Sequence, residues 1–232
     1  MKKLLLALLP LLFILPGAAH AAIANTGSGN TGQTAATSHS ASISVPAGSN
    51  IIFVNAWSQG AIPTGVTLNG VAMTKIQTGG NNAGTSFESM WYFVNPSTGT
   101  QTLAVTGGSG TTGALWSSYS GASITGVPDS SADYTSVSGA TKTISTTVVA
   151  ANSWLVLTSA DNTGTVSAGT GTTQRAYNTS WGLGIYDSNG TVGTGSQSLQ
   201  LTRGSAFNVY ATIASFAPQS AASFNPYFFW DF

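Results

Sequence analysis

GVTLNGVAMTKIQ, residues 65–77, places an Asn-Gly pair between two short runs in which apolar and polar side chains alternate. Both central residues of a type I′ turn need positive φ, which Gly and Asn adopt most readily, so the pair predicts an antiparallel hairpin turning at Asn69 and Gly70. The two-residue period extends outward from it. In Thr100–Thr106, Leu103 and Val105 face one way and Thr102, Ala104 and Thr106 the other, as a half-buried strand requires. Ile51-Ile52-Phe53-Val54 is apolar at every position, which predicts a strand covered on both faces. Runs rich in Val, Ile, Thr and aromatics recur from Ser40 to Phe216 between Gly, Asn, Ser and Pro clusters, without a helical period. The pattern predicts an all-β, two-sheet antiparallel β-sandwich, jelly-roll-like, over residues 39–218, with an up-and-down barrel as the alternative.

The flanks differ from this body. Met1, Lys2 and Lys3 precede an apolar run from Leu4 to Leu15 and a small-residue stretch ending Ala19-His20-Ala21, the order of a signal peptide (1–21) cut after Ala21. The run is shorter than the roughly 20 residues a spanning helix needs, so a removed signal is expected rather than an uncleaved anchor. The mature chain, 211 of the 232 residues, is then expected to lack a transmembrane segment and to be secreted, extracellular or at the cell surface, the periplasm being the alternative. Residues 22–38 are small and polar and are expected to form an irregular first strand or a flexible leader. Residues 219–232 read as a linker and a tail in which Phe224, Tyr227, Phe228, Phe229, Trp230 and Phe232 crowd the last nine positions. Six rings there mark a contact, either with the protein's own sandwich or with a partner.

Charge and cysteine content exclude several function classes. Only 5% of the chain is charged, and beyond Ala21 four basic residues face six acidic ones, a formal net charge of −2. Phosphate binding needs clustered cations, so a nucleic-acid partner is not expected. There is no Cys, so stability must come from core burial.

The stretches NGVAMT (69–74), MWYFVNPSTG (90–99), LAVT (103–106), SYSG (118–121), NSWLV (152–156) and ASFAP (214–218) follow one another in an order that resembles a loosely annotated group of bacterial secreted β-sandwich modules. The resemblance covers residues 40–218 and implies the fold together with a surface, adhesion or carbohydrate-associated role. It carries no catalytic or binding residue, and the aromatic tail falls outside it.

Candidate chemistry is sparse. His39 is the one histidine beyond the signal, read as an exposed strand-edge residue, so nucleophile–histidine catalysis has little to work with. Glu88, Asp129, Asp133, Asp161 and Asp187 are dispersed, and nothing in the sequence brings two together as a glycosidase requires. No cofactor is expected; Asp129–Asp133 and Asp161–Thr165 offer loop oxygens to a structural calcium ion, although Asx turns explain them as well. Trp91, Phe93, Trp116 and Trp154 alternate with apolar residues and read as core. Trp57, Tyr134, Tyr177, Trp181 and Tyr186 lie near strand ends or loops, where a ring can stack on a sugar face, and are the candidate ligand-binding residues. The expectation is a secreted, non-catalytic recognition or adhesion module with a polysaccharide or cell-surface glycan as ligand. A subunit self-associating through sheet edges or its tail is the alternative, and a glycoside hydrolase the second alternative.

Overall fold

Asn69 and Gly70 both hold positive φ, 48° and 79°, and close the predicted hairpin. The computed structural model containing it describes residues 20–77, 80–82, 86–108, 110–136, 139–161 and 165–220; residues 1–19 of the expected signal peptide and the aromatic tail residues lie outside these. The described residues form strands β1 (Ala24–Thr34), β2 (Ser38–Val45), β3 (Ile51–Gln59), β4 (Gly65–Leu68), β5 (Val71–Ala72), β6 (Thr74–Lys75), β7 (Gly80–Asn82), β8 (Ser86–Val94), β9 (Gly99–Thr106) and β10 (Thr112–Ser120). After a link over residues 121–129 come β11 (Ser130–Ser136), β12 (Thr141–Val148), β13 (Trp154–Ala160), β14 (Ser167–Ala168), β15 (Thr173–Asn178), β16 (Leu183–Asp187), β17 (Gly195–Thr202) and β18 (Val209–Phe216).

The all-β antiparallel sandwich is as expected, but it contains four sheets where two were anticipated. Two inner sheets, β1-β10-β3-β8-β6 with β7 beside β8, and β11-β18-β13-β16-β15, face each other, while β2-β9-β4-β5 and β12-β17-β14 cover their outer sides. Three apolar layers fill the gaps. Phe53, Met90, Leu115, Val156, Ile185 and Phe216 lie between the inner sheets. Val54, Trp91, Leu103 and Trp116 lie under the first outer sheet, with half-buried Phe93 against them, and Ile144, Leu157, Leu199 and Ile213 lie under the second. The inner strands are thus covered on both faces, and Ile51 to Ser58 are all buried, as the unbroken apolar run 51–54 predicts.

The second half repeats the first. β11, β18, β13 and β16 pair in the order of β1, β10, β3 and β8, and β12, β17 and β14 in that of β2, β9 and β4. Tyr119 sits opposite Ile51 as Phe216 sits opposite Trp154, and stepping along the strands makes Asn55, Trp57 and Glu88 the counterparts of Thr158, Ala160 and Leu183. No such duplication was read from the sequence.

Residues 24–34 are the irregular strand rather than a flexible leader. β1 pairs with β10 across two register shifts, and polar side chains replace apolar packing: Asn25 Nδ2 donates to Ser117 Oγ at 2.7 Å, and Thr26 and Ser118 hydroxyls lie 2.9 Å apart.

The duplication gives the slab two distinct ends. Residues 35–37, 59–64, 107–108, 139–140, 179–182 and 203–208 gather at one, here the loop end, tied by bonds such as Gly107 N to Thr37 O and Arg203 N to Ala140 O. Residues 20–23, 46–50, 121–123 and 217–220 gather at the other, where Ala21 N donates to Gln219 O and Gln219 N to Gly121 O.

Candidate functional site

The five aromatic candidates do not form one surface. Trp57 and Tyr186 are fully buried, so neither ring is exposed beside a strand end as expected. Tyr134, Tyr177 and Tyr186 face the second outer sheet, a layer the two-sheet expectation lacked, and Tyr134 and Tyr177 are half-buried there. The Tyr177 hydroxyl accepts from Val166 N at 2.9 Å and the Tyr186 hydroxyl donates to Val166 O, so both serve the fold. No aromatic side chain among the described residues is exposed.

Trp57 and half-buried Trp181 do come together, in the layer between the inner sheets at the loop end, with ring centroids 4.4 Å apart. β3 carries Trp57, and Trp181 lies in the turn between β15 and β16. Directly opposite Trp57 on β8 is Glu88, on the same face because cross-strand partners share a face. Two residues before Trp57, Asn55 crosses the interface and donates from Nδ2 to Ser159 O and Gly184 O at 3.0 and 3.1 Å. Several buried polar atoms here reach no partner with hydrogen-bonding geometry: Asn55 Oδ1, the indole N–H groups of Trp57 and Trp181, and both Glu88 carboxyl oxygens, although the Thr158 side chain lies close enough to favour the carboxylate. Most buried polar side-chain atoms in folded proteins are paired, so such a concentration needs a reason.

Burial holds the Glu88 carboxyl well above the usual range; nearby Thr158 tempers the rise and Asp133 adds to it. Desolvation of the charged form thus shifts Glu88 toward the protonated acid. Asp133 is exposed on β11, accepts a 2.7 Å bond from Thr212 Oγ1, and has the Tyr210 hydroxyl against it. The fold thus brings two carboxyls into electrostatic reach, a pairing that their spacing in the sequence does not reveal. The signal for this was faint: Glu88 falls on the same alternating face as Met90, an acid where the period calls for an apolar side chain.

The other charges have structural partners. Arg175 Nε lies 2.6 Å from Asp187 Oδ2, which also accepts from the Tyr119 hydroxyl at 3.0 Å and so clamps one half to the other away from the loop end. Asp129 accepts from Ala150 N, Ser153 Oγ and Ser215 Oγ, and Arg203 lies 3.5 Å from Asp161. Among the described residues no three His, Asp or Glu side chains converge as metal ligands, and 162–164 of the second calcium candidate lie outside them. His39 is not an exposed edge residue. It is buried, with Nδ1 2.9 Å from Thr34 Oγ1 and Nε2 3.0 Å from Thr31 Oγ1, and burial lowers its pKa. It occupies the position of buried Lys142 in the second half, each being one strand pair from the loop end of its outer sheet.

The chain matches no family model, no curated protein and no solved structure. No helix of the described residues is long and apolar enough to cross a membrane.

Proposed function

We propose that the protein is exported and works outside the cytoplasm as a non-catalytic recognition module, with a neutral glycan as ligand met at the loop end. The observation that carries this is the polarity of the slab. Residues 46–50, 121–123 and 217–219 gather at one end, while turns from both halves converge at the other. Turns contributed by both halves form one face on which a ligand can be met. Scarcity of charge favours an uncharged partner, because few ion pairs are on offer to an anionic or cationic one. Full burial of Glu88 keeps it from acting on a substrate in this conformation, which supports a binding role over hydrolysis despite its closeness to Asp133.

The test is retention of the mature chain on a panel of neutral polysaccharides, followed by release assays on whichever retains it. Binding without sugar release is expected. Turnover lost in Glu88→Gln or Asp133→Asn overturns the non-catalytic reading, and no retention on any glycan overturns the ligand class.

The composition of the tail favours a second reading, a subunit of a surface assembly. Phe224, Tyr227, Phe228, Phe229, Trp230 and Phe232 crowd the last nine positions, and six rings there mark a contact. Deleting 224–232 then lowers the mass in solution, and an unchanged mass refutes self-association through the tail.

A further inference from the structure

The geometry points to a saccharide slot between the two halves at the loop end, in which Trp57, Asn55 and Glu88 take one neutral sugar ring and the Trp181 indole fills the slot until the sugar displaces it. This rests on the reading of the protein as a glycan-recognition module and gives that reading a place and a chemistry.

Departure from the internal repeat marks the slot. On the inner face of β13 and β16 the equivalent positions are Thr158, Ala160 and Leu183, small or apolar residues that complete a core. On β3 and β8 the same positions carry an amide, an indole and a carboxyl. The second copy packs these positions with a hydroxyl and two small or apolar groups, so the amide, indole and carboxyl of the first copy exceed what packing requires.

Unmade hydrogen bonds say what that excess serves. Asn55 Oδ1 and Trp57 Nε1 are buried without partners, as is Nε1 of the displaceable Trp181, and the Glu88 carboxyl, beside the Thr158 side chain, makes no hydrogen bond of good geometry; each such group carries a desolvation penalty. Together they offer acceptors, N–H donors and a flat apolar face. A sugar ring is complementary to such a set, since its C–H face stacks on an indole and its hydroxyls both donate and accept. Only 5% of the chain is charged and no cation is among these groups, so the match is to a neutral ring.

Trp181 is the element that can leave. Trp57 is held by paired strands on both sides, whereas Trp181 sits in the four-residue turn 179–182 and is already half-exposed. Its indole lies over Trp57 at 4.4 Å, a distance at which a sugar ring stacks.

The experiment is a fluorescence and calorimetric titration of the full mature chain with neutral methyl glycosides of glucose, galactose, mannose and N-acetylglucosamine. It is run on wild type, Trp181→Ala, Trp181→Phe and Glu88→Leu. One glycoside is expected to shift the tryptophan emission of the wild type and to bind Trp181→Ala at least about tenfold tighter, because the competing indole no longer has to be displaced. Glu88→Leu installs the side chain of the equivalent position; it should abolish binding yet melt no lower than wild type. The slot is overturned if no glycoside affects the wild type or either Trp181 variant. It is equally overturned if Glu88→Leu melts markedly lower, because the carboxyl is then satisfied within the fold. Retention of wild type and all variants alike on a polysaccharide leaves glycan recognition standing and removes this slot alone, while loss of retention by wild type removes both.

Discussion

Replacing Glu88 with Gln should change how stability depends on pH, with a sign opposite to that of most carboxyls. The folded Glu88 holds its proton because burial penalises the charge, whereas in the unfolded chain the same group ionises around its ordinary value of 4.5. The native state therefore binds more protons than the unfolded one above that value. Each pH unit upward then removes on the order of 1 kcal/mol until the raised native value is reached, so the loss begins above 4.5 and grows as the pH rises. His39 acts in the other direction. Its native pKa is lowered, so below 6.5 the unfolded chain takes up a proton that the native one refuses, and stability falls as the pH falls. Urea midpoints at pH 5, 6 and 7 separate the two. Wild type minus Glu88→Gln should grow more favourable to wild type toward pH 5, and His39→Gln should steepen the acid gain in a Glu88 background. Parallel profiles for wild type and Glu88→Gln across this range would show that Glu88 carries no extra proton, and the account of the loop end would fail with it.

Three further outcomes follow from single positions. Gly70→Val keeps open space around the new side chain but forces it to φ 79°, so it should cost about 1–3 kcal/mol from backbone strain alone, read as a lower urea midpoint; an unchanged midpoint would refute the turn assignment. Gly80→Val should lower the thermal midpoint, because a β-carbon there falls 2.0 Å from the Tyr210 ring, and Tyr210→Ala in the same chain should recover part of the loss. Arg175→Leu leaves Asp187 buried with neutral donors only and should cost roughly 3–5 kcal/mol, partly restored by adding Asp187→Asn; independent, additive losses in that pair would show that the two are not coupled.

The local chemistry of the fold was legible and its depth was not. Asn69-Gly70 and the period-2 run Thr100–Thr106 carry their own geometry, because positive φ and strand alternation are properties of a few consecutive residues. Residues 24–34 misled because β1 is built of Gly, Thr and Asn, a leader-like composition, and is held by side-chain hydrogen bonds to β10 that no local pattern predicts. The duplication was hidden for a related reason. Equivalent positions such as Ile51 and Trp154, or Tyr119 and Phe216, share burial and register while differing in identity. Missing it meant counting two sheets, and with two sheets the tyrosines at 134, 177 and 186 lie at an open margin rather than under β12, β17 and β14.

The loop-end cluster shows why a site of this kind escapes a reading of sequence. Alternation tells that Glu88 and Met90 share a face, but not that this face meets a second inner sheet, nor that the turn bearing Trp181 closes over Trp57. The fold supplies both, and with them a contrast inside one molecule. At the end near the chain's paired terminal residues the interface between the halves is closed by Tyr119, Asp187 and Arg175, whose charges and hydroxyl answer one another at 2.6 and 3.0 Å. At the loop end the same interface leaves Asn55 Oδ1 and two indole N–H groups unanswered and buries Glu88 beside Thr158. One interface with a satisfied network at one end and orphaned groups at the other has the means to pair its polar atoms and does not use them near the loops. Stability alone favours the Leu183-like solution there, since an apolar side chain carries no unmet hydrogen bond. Retaining an acid at that position is therefore better explained by what enters between the halves than by what holds them together.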